Sequence, residues 1–120
     1  MKLSEGIERF LRYQKQVKNA SDFTIRNYQR SLSLLEEVLG EKAHICDITL
    51  EVVDDVRDIL FEKKSRTGGR LARRTQNLYL IPIRSFLRFA EKRSLDKNLL
   101  APDKIELLKL EPTDVSGITK

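Results

Sequence analysis

Cysteine is nearly absent. Cys46 stands alone among 120 residues, which excludes an internal disulfide and any CxxC or Cys/His ligand spacing. A reducing compartment follows as the simpler setting. Histidine is equally scarce: His44 is the single copy and sits beside Cys46, where ordinary loop chemistry accounts for it, so no metal site and no cofactor are expected. Only three prolines and five glycines occur, mostly at apparent junctions between periodic segments. No apolar run is long enough to span a bilayer, and the N-terminus carries an amphipathic pattern where a signal peptide would be uniformly apolar. The expected protein is soluble, intracellular and cytoplasmic, with no membrane partner. Strand-like alternation, internal repeats and low-complexity tracts are also missing.

What is present is charge. The chain is 40% hydrophobic and 34% charged, interleaved along almost its whole length, which suits one compact domain with a modest core and argues against a disordered chain. The net charge of +5 is unevenly spread: Lys63 to Arg93 carries ten cations against Glu91 alone, a net +9, leaving −4 for the rest. Met1 to Arg30 is also positive, whereas Leu50 to Glu62 sets five carboxylates against Arg57. Such asymmetry fits a polyanion-binding face with an acidic back, and equally a solvated surface whose charges cluster. Composition does not separate the two.

Apolar residues recur at helical spacing in four segments. In the first, Leu3, Ile7, Phe10, Leu11, Gln14 and Val17 share a face, with Ser4 as the expected N-cap and an end near Asn19. The second starts at Ser21 or Asp22 as cap, follows the stripe Ile25, Tyr28, Leu32, Leu35 and Leu39, and closes at Gly40. After a connection that tucks Ile45 and Ile48 inward, Thr49 caps a third helix with Val52, Val53, Val56, Ile59 and Leu60 buried. "KKSRTGGR" reads as a loop. A fourth helix is expected from about Leu71 to Arg93, kinked or broken at Pro82. A short terminal helix is expected around Asp103 to Leu110, after Pro102. The fold class is all-α.

On a helical wheel of the fourth segment, Arg70, Arg73, Arg74, Asn77, Arg84 and Arg88 fall on one side, and Tyr79, Ile83, Phe86 and Ala90 opposite. Ile81 falls among the arginines. A row of guanidinium groups on a helix suits the major groove of B-DNA, where arginine forks meet phosphates and guanine edges and Asn77 would pair with adenine. The bland alternative is a basic face with no partner. Near the start of the second helix, Thr24, Arg26, Asn27 and Arg30 add cations and donors where free amides favour a phosphate; for Ser21 and Asp22, simple capping suffices.

The order of these features resembles a known family. "SDFTIRNYQRSL", with Ser21, Thr24, Tyr28 and Leu32, looks like the Ser-x-x-Thr-x-x-x-Tyr-x-x-x-Leu run in the core-binding domain of tyrosine recombinases, the phage integrase family. "TQNLYLIPIRSFLRFA", with Arg84, Phe86 and Phe89 as an R-x-F-x-x-F stretch, is similar to that family's last long helix. The resemblance covers about Ser4 to Leu110. It implies a SAM-like bundle of four to five helices that clamps recombination-site double-stranded DNA. Thr24, Asn27, Arg30, Arg73, Arg74, Thr75 and Asn77 would then approach backbone or bases, and Tyr28 would be core. It also implies a catalytic domain of the same polypeptide and sister recombinase subunits as partners. Pro82 departs from the family pattern.

Family catalysis needs a tyrosine nucleophile, two arginines and a His-x-x-Arg box; here the residue three beyond His44 is Asp47. No catalytic residues are therefore assigned, and this stretch alone is not expected to act as an enzyme. Residues 1–110 are read as the core-binding domain and 111–120 as the start of an interdomain linker. The competing function is a helical protein-interaction module whose basic face docks an acidic partner. A self-contained helix-turn-helix regulator fits less well, since no short turn joins two helices in that way.

Overall fold

The four periodic segments become four helices: α1 (Leu3–Gln16), α2 (Asp22–Leu39), α3 (Leu50–Glu62) and α4 (Arg73–Lys92). Two single 3-10 turns, Ile45–Asp47 and Pro102–Lys104, complete the regular structure. The computed structural model describes residues 1–63 and 68–110; part of the expected "KKSRTGGR" loop and the expected linker at 111–120 lie outside it. The described residues contain no sheet, and the architecture is an all-α bundle. None of their helices is long and apolar enough to cross a membrane.

Local chemistry sets most helix ends. The Ser21 hydroxyl accepts the Thr24 amide at 3.1 Å, and Thr49 does the same for Val52 at 3.2 Å, each satisfying an otherwise free first-turn donor. Gly40, at φ +95°, closes α2 in a conformation that side chains with a Cβ resist. The start of α1 departs from expectation. Ser4 is not its cap; Lys2 is, with extended backbone and no side-chain bond. Here the first turn is satisfied from a neighbouring segment: the Leu3 amide donates to the Ala43 carbonyl at 2.9 Å, and the Ile45 amide to Met1 at 3.1 Å. Gly6 lets that segment come close, because a Cβ there would stand 2.7 Å from Ile45 Cδ1.

α4 is the spine of the core. Ten of its twenty residues are buried, against three of eighteen in α2, so the other helices pack around it. Phe10 of α1 ties the bundle together, stacking on Tyr28 at 5.5 Å and meeting Phe86 and Phe89 edge-on at 5.6 and 5.4 Å. Tyr28 is half-buried, at the rim of the core it was expected to occupy. Full burial of each large apolar side chain, such as Phe10 or Phe86, contributes about 1.5–3 kcal/mol. Two expected core residues lie outside: Val17 falls beyond the end of α1 and is 64% exposed, and Ile59 is 41% exposed. The α3 stripe is therefore narrower than the pattern suggested, with Val53, Val56 and Leu60 carrying the contact.

α4 runs through Pro82 without a break. Proline has no amide, so the Leu78 carbonyl loses its usual donor four residues on. The hydroxyl of Ser31, itself buried in α2, donates to that carbonyl at 3.5 Å. A tertiary contact thus serves the group the proline leaves open.

The expected terminal helix does not form. After the Pro102–Lys104 turn the chain runs to Leu110 without regular structure, and its backbone pairs with side chains of the bundle. Asn77 donates its amide to the Leu108 carbonyl at 3.0 Å and accepts the Leu108 amide at 2.7 Å. Arg73 donates to the Lys109 carbonyl at 3.0 Å, and Arg57 to the Glu106 carbonyl. Ile105, only 1% exposed, pins this strap to the core. These backbone groups find partners across the bundle, where a helix would have satisfied them internally.

Candidate nucleic-acid interface

The open side of α4 is Arg74, Leu78, Ile81, Arg88 and Lys92, all exposed, with half-buried Ser85 among them, at alternating steps of four and three residues that hold one line along a helix. It is offset by roughly 60° from the row the wheel selected, since each residue advances about 100° around the axis. The offset has a cause: the strap covers one flank of α4. Asn77 is 7% exposed and both ends of its amide are committed to Leu108, so it is not available to a base edge. Arg73 keeps its guanidinium at the surface but spends a donor on Lys109. Arg84 is half-buried, and its Nε is shut from solvent with no partner. Arg88 meets Asp103 of the Pro102–Lys104 turn at 3.4 Å, an exposed pair of small energetic weight.

The other flank of this open row meets α2. Arg30 lays its guanidinium 4.4 Å from the centroid of Tyr79, crossing from α2 to α4. Stacking uses the face of the guanidinium and leaves its in-plane N–H donors outward. Asn27 is half-buried and Arg26 exposed, farther around α2. Thr24 is occupied locally: its hydroxyl oxygen accepts from Ser21 at 3.1 Å while its amide serves the cap. Thr75 is half-buried at the start of α4. Arg70, just before α4, stands 3.9 Å over the ring of Phe61 at the end of α3 and so belongs to a different edge.

Arg74 makes no ion pair among the described residues, and no α3 carboxylate pairs with an α4 arginine; Asp54 pairs only with Arg57, at 3.9 Å. The acid-rich helix therefore does not neutralise the basic one. The arrangement offers a polyanion a file of cations with two apolar side chains, Leu78 and Ile81, 48% and 39% exposed, set among them.

Sequence reasoning missed a further group. Lys92 extends the open row into a cleft of about 260 Å³ between the C-terminal halves of α1 and α4, where Lys18 and Arg93 join it. The signal was the positive charge of the first thirty residues, but joining it to α4 requires the Tyr13–Phe89 contact, 5.1 Å between centroids. Elsewhere, the loop around His44 and Cys46 is exposed and built on Asp47, whose carboxylate accepts the His44 amide at 2.8 Å. No group of three potential metal ligands occurs among the described residues.

A family model described as the phage integrase N-terminal SAM-like domain matches residues 7–94. No curated protein and no solved structure matches.

Proposed function

The chain belongs to the phage integrase N-terminal SAM-like domain family, and from that membership we propose that it is the DNA-binding, core-binding domain of a site-specific tyrosine recombinase. It clamps duplex DNA through the surface shared by α2 and α4. The observation that carries this reading is the open row with its α2 neighbour: Arg74, Arg88 and Lys92 line one side of α4 and Arg30 crosses to α4 over Tyr79, while no α3 carboxylate pairs with any of them. Arg30 and Arg74 are best placed for phosphates or guanine edges, and Leu78 and Ile81 for thymine methyls or sugar carbons. Arg26, Asn27 and Arg70 flank the footprint, and Thr24, Thr75, Arg73 and Arg84 act from the second rank, shaping it. Residues 1–110 form the binding unit and 111–120 open the linker toward a catalytic domain of the same polypeptide. Sister subunits are the expected partners in the assembled complex, and strand cleavage is left to that catalytic domain.

A gel-shift titration of the chain against duplex at several salt concentrations tests this. Log affinity should fall linearly with log salt, and Arg30→Gln with Arg74→Gln should lower the slope by about two. Binding that is absent at moderate salt, or that ignores both substitutions, would remove the duplex reading and leave a protein-interaction module in its place.

A further inference from the structure

Arg93 occupies a position that the α2–α4 footprint does not explain. Its guanidinium lies 5.0 Å from the centroids of both Tyr13 and Phe89, forming a ridge between α1 and the end of α4. A cleft opens on each side of that ridge. The first, about 260 Å³, is lined by Lys18, Arg88 and Lys92 with the neutral donors Gln14 and Ser85. The second, about 290 Å³, is lined by Arg9, Arg12 and Gln16. Neither cleft is lined by a carboxylate.

Within this group Arg9 pairs with Glu5 at 3.3 Å and Arg88 with Asp103 at 3.4 Å, while Arg12, Lys18, Lys92 and Arg93 have no ion pair among the described residues. Cations near a helix C-terminus complement its dipole, which accounts for Lys92 and Arg93 and for Lys18 just past α1. It does not account for Arg9 and Arg12 in the middle of α1. Like charges gathered around an aromatic wall repel one another, and an anion held between them relieves that repulsion. Beside the apolar wall of Phe89, Val17 and Leu95, the polar lining holds cations and neutral donors and no carboxylate, which suits phosphate oxygens. Each cleft is several times the volume of one water, so a sugar-linked phosphate fits better than a small ion.

We infer that the two clefts flanking Arg93 form a second phosphodiester site, which holds the backbone of the bound duplex beside the stretch covered by the α2–α4 row. The inference rests on the duplex-binding reading. Continuity supports it: Ser85, Arg88 and Lys92 belong both to the open row and to the first cleft, so a duplex lying along α4 is led into it.

The test compares two double variants of the chain in duplex titrations across salt. Arg12→Gln with Lys18→Gln changes two exposed side chains that make no hydrogen bond among the described residues, so the melting temperature should hold. Affinity should fall severalfold and the salt slope by about two, while the charge-keeping pair Arg12→Lys with Lys18→Arg restores both. An unchanged slope, alongside a lowered slope in Arg30→Gln with Arg74→Gln, overturns the second site and spares the α2–α4 reading. Wild-type chain that does not bind duplex at all removes both. Inorganic phosphate supplies the remaining arm: if it perturbs the Gln14 and Ser85 amide resonances in the wild type but not in Arg12→Gln with Lys18→Gln, and the duplex slope is unaffected, the clefts take small phosphates and the backbone assignment fails.

Discussion

Arg73 and Arg74 are neighbours in the chain, yet they face different environments. Arg73 turns toward the strap and donates to the Lys109 carbonyl; Arg74 has no partner among the described residues. The same division runs along the helix. On the strap flank the side chains of Asn77 and Arg73 serve the chain's own backbone, while on the open row those of Leu78, Ile81 and Lys92 are exposed. For Arg73 and Arg74 the residue type is the same; what differs is which segment lies against the helix. A segment without regular structure has unpaired amides and carbonyls, and it takes its donors and acceptors from the nearest polar side chains.

The comparison can be broken most forcefully at Asn77. Asn77→Ala removes both hydrogen bonds to Leu108 and strands the half-covered strap, so stability should drop by about 2–3 kcal/mol in a denaturant melt. A shift of only a few tenths would mean that the strap is not seated on α4. Next in size is the contrast between the two arginines. Arg74→Ala should lower the salt slope of duplex binding by about one, and Arg73→Ala by clearly less, since its guanidinium is partly spent on Lys109. Equal losses would erase the division between the rows.

A smaller effect is expected on the α2 side. Ser31→Ala should cost about 1 kcal/mol by leaving the Leu78 carbonyl without a donor. Adding Pro82→Ala should recover it, because alanine returns the amide that proline lacks. A double variant no more stable than Ser31→Ala would argue against the coupling. The smallest effect is a control away from both rows. Asp96 accepts the Lys97 amide at 2.9 Å, the main reason its carboxyl titrates below its usual range; the Cys46 amide and the Met1 ammonium act in the same direction, against partial desolvation. With the folded value depressed, its stabilisation is present above the unfolded value of about 3.9 and fades as pH falls through the folded one. Denaturation midpoints should therefore decline below about pH 4, less steeply in Asp96→Asn, with the duplex salt slope at neutral pH unchanged.

Legibility followed the range of the interaction. Ser21 and Thr49 act on amides three residues away, and Gly40 needs only its own φ, so the ends of α2 and α3 were readable in the chain. Ser4 failed as a cap because Ala43 supplies the first acceptor of α1 from forty residues away. Pro82 looked like an obstacle because Ser31, which answers it, is fifty-one residues earlier. The expected helix at 103–110 had adequate periodicity, but periodicity carries no record of Asn77, Arg73 and Arg57 waiting across the bundle.

By itself, the amino-acid order determined four amphipathic helices, the caps of α2 and the N-cap of α3, an excess of cations in the first thirty residues and in the fourth helix, and the motif spacing that resembles the integrase family. Periodicity, φ preference and charge are properties of single residues and near neighbours, so they survive in a one-dimensional string. Which cations stay free was decided only when the strap settled on one flank of α4 and α1 closed over the other end through Phe10, Tyr13 and Phe89. Those contacts join residues far apart in the chain, and a hydrogen-bond donor becomes a binding group or a structural one according to what packs beside it.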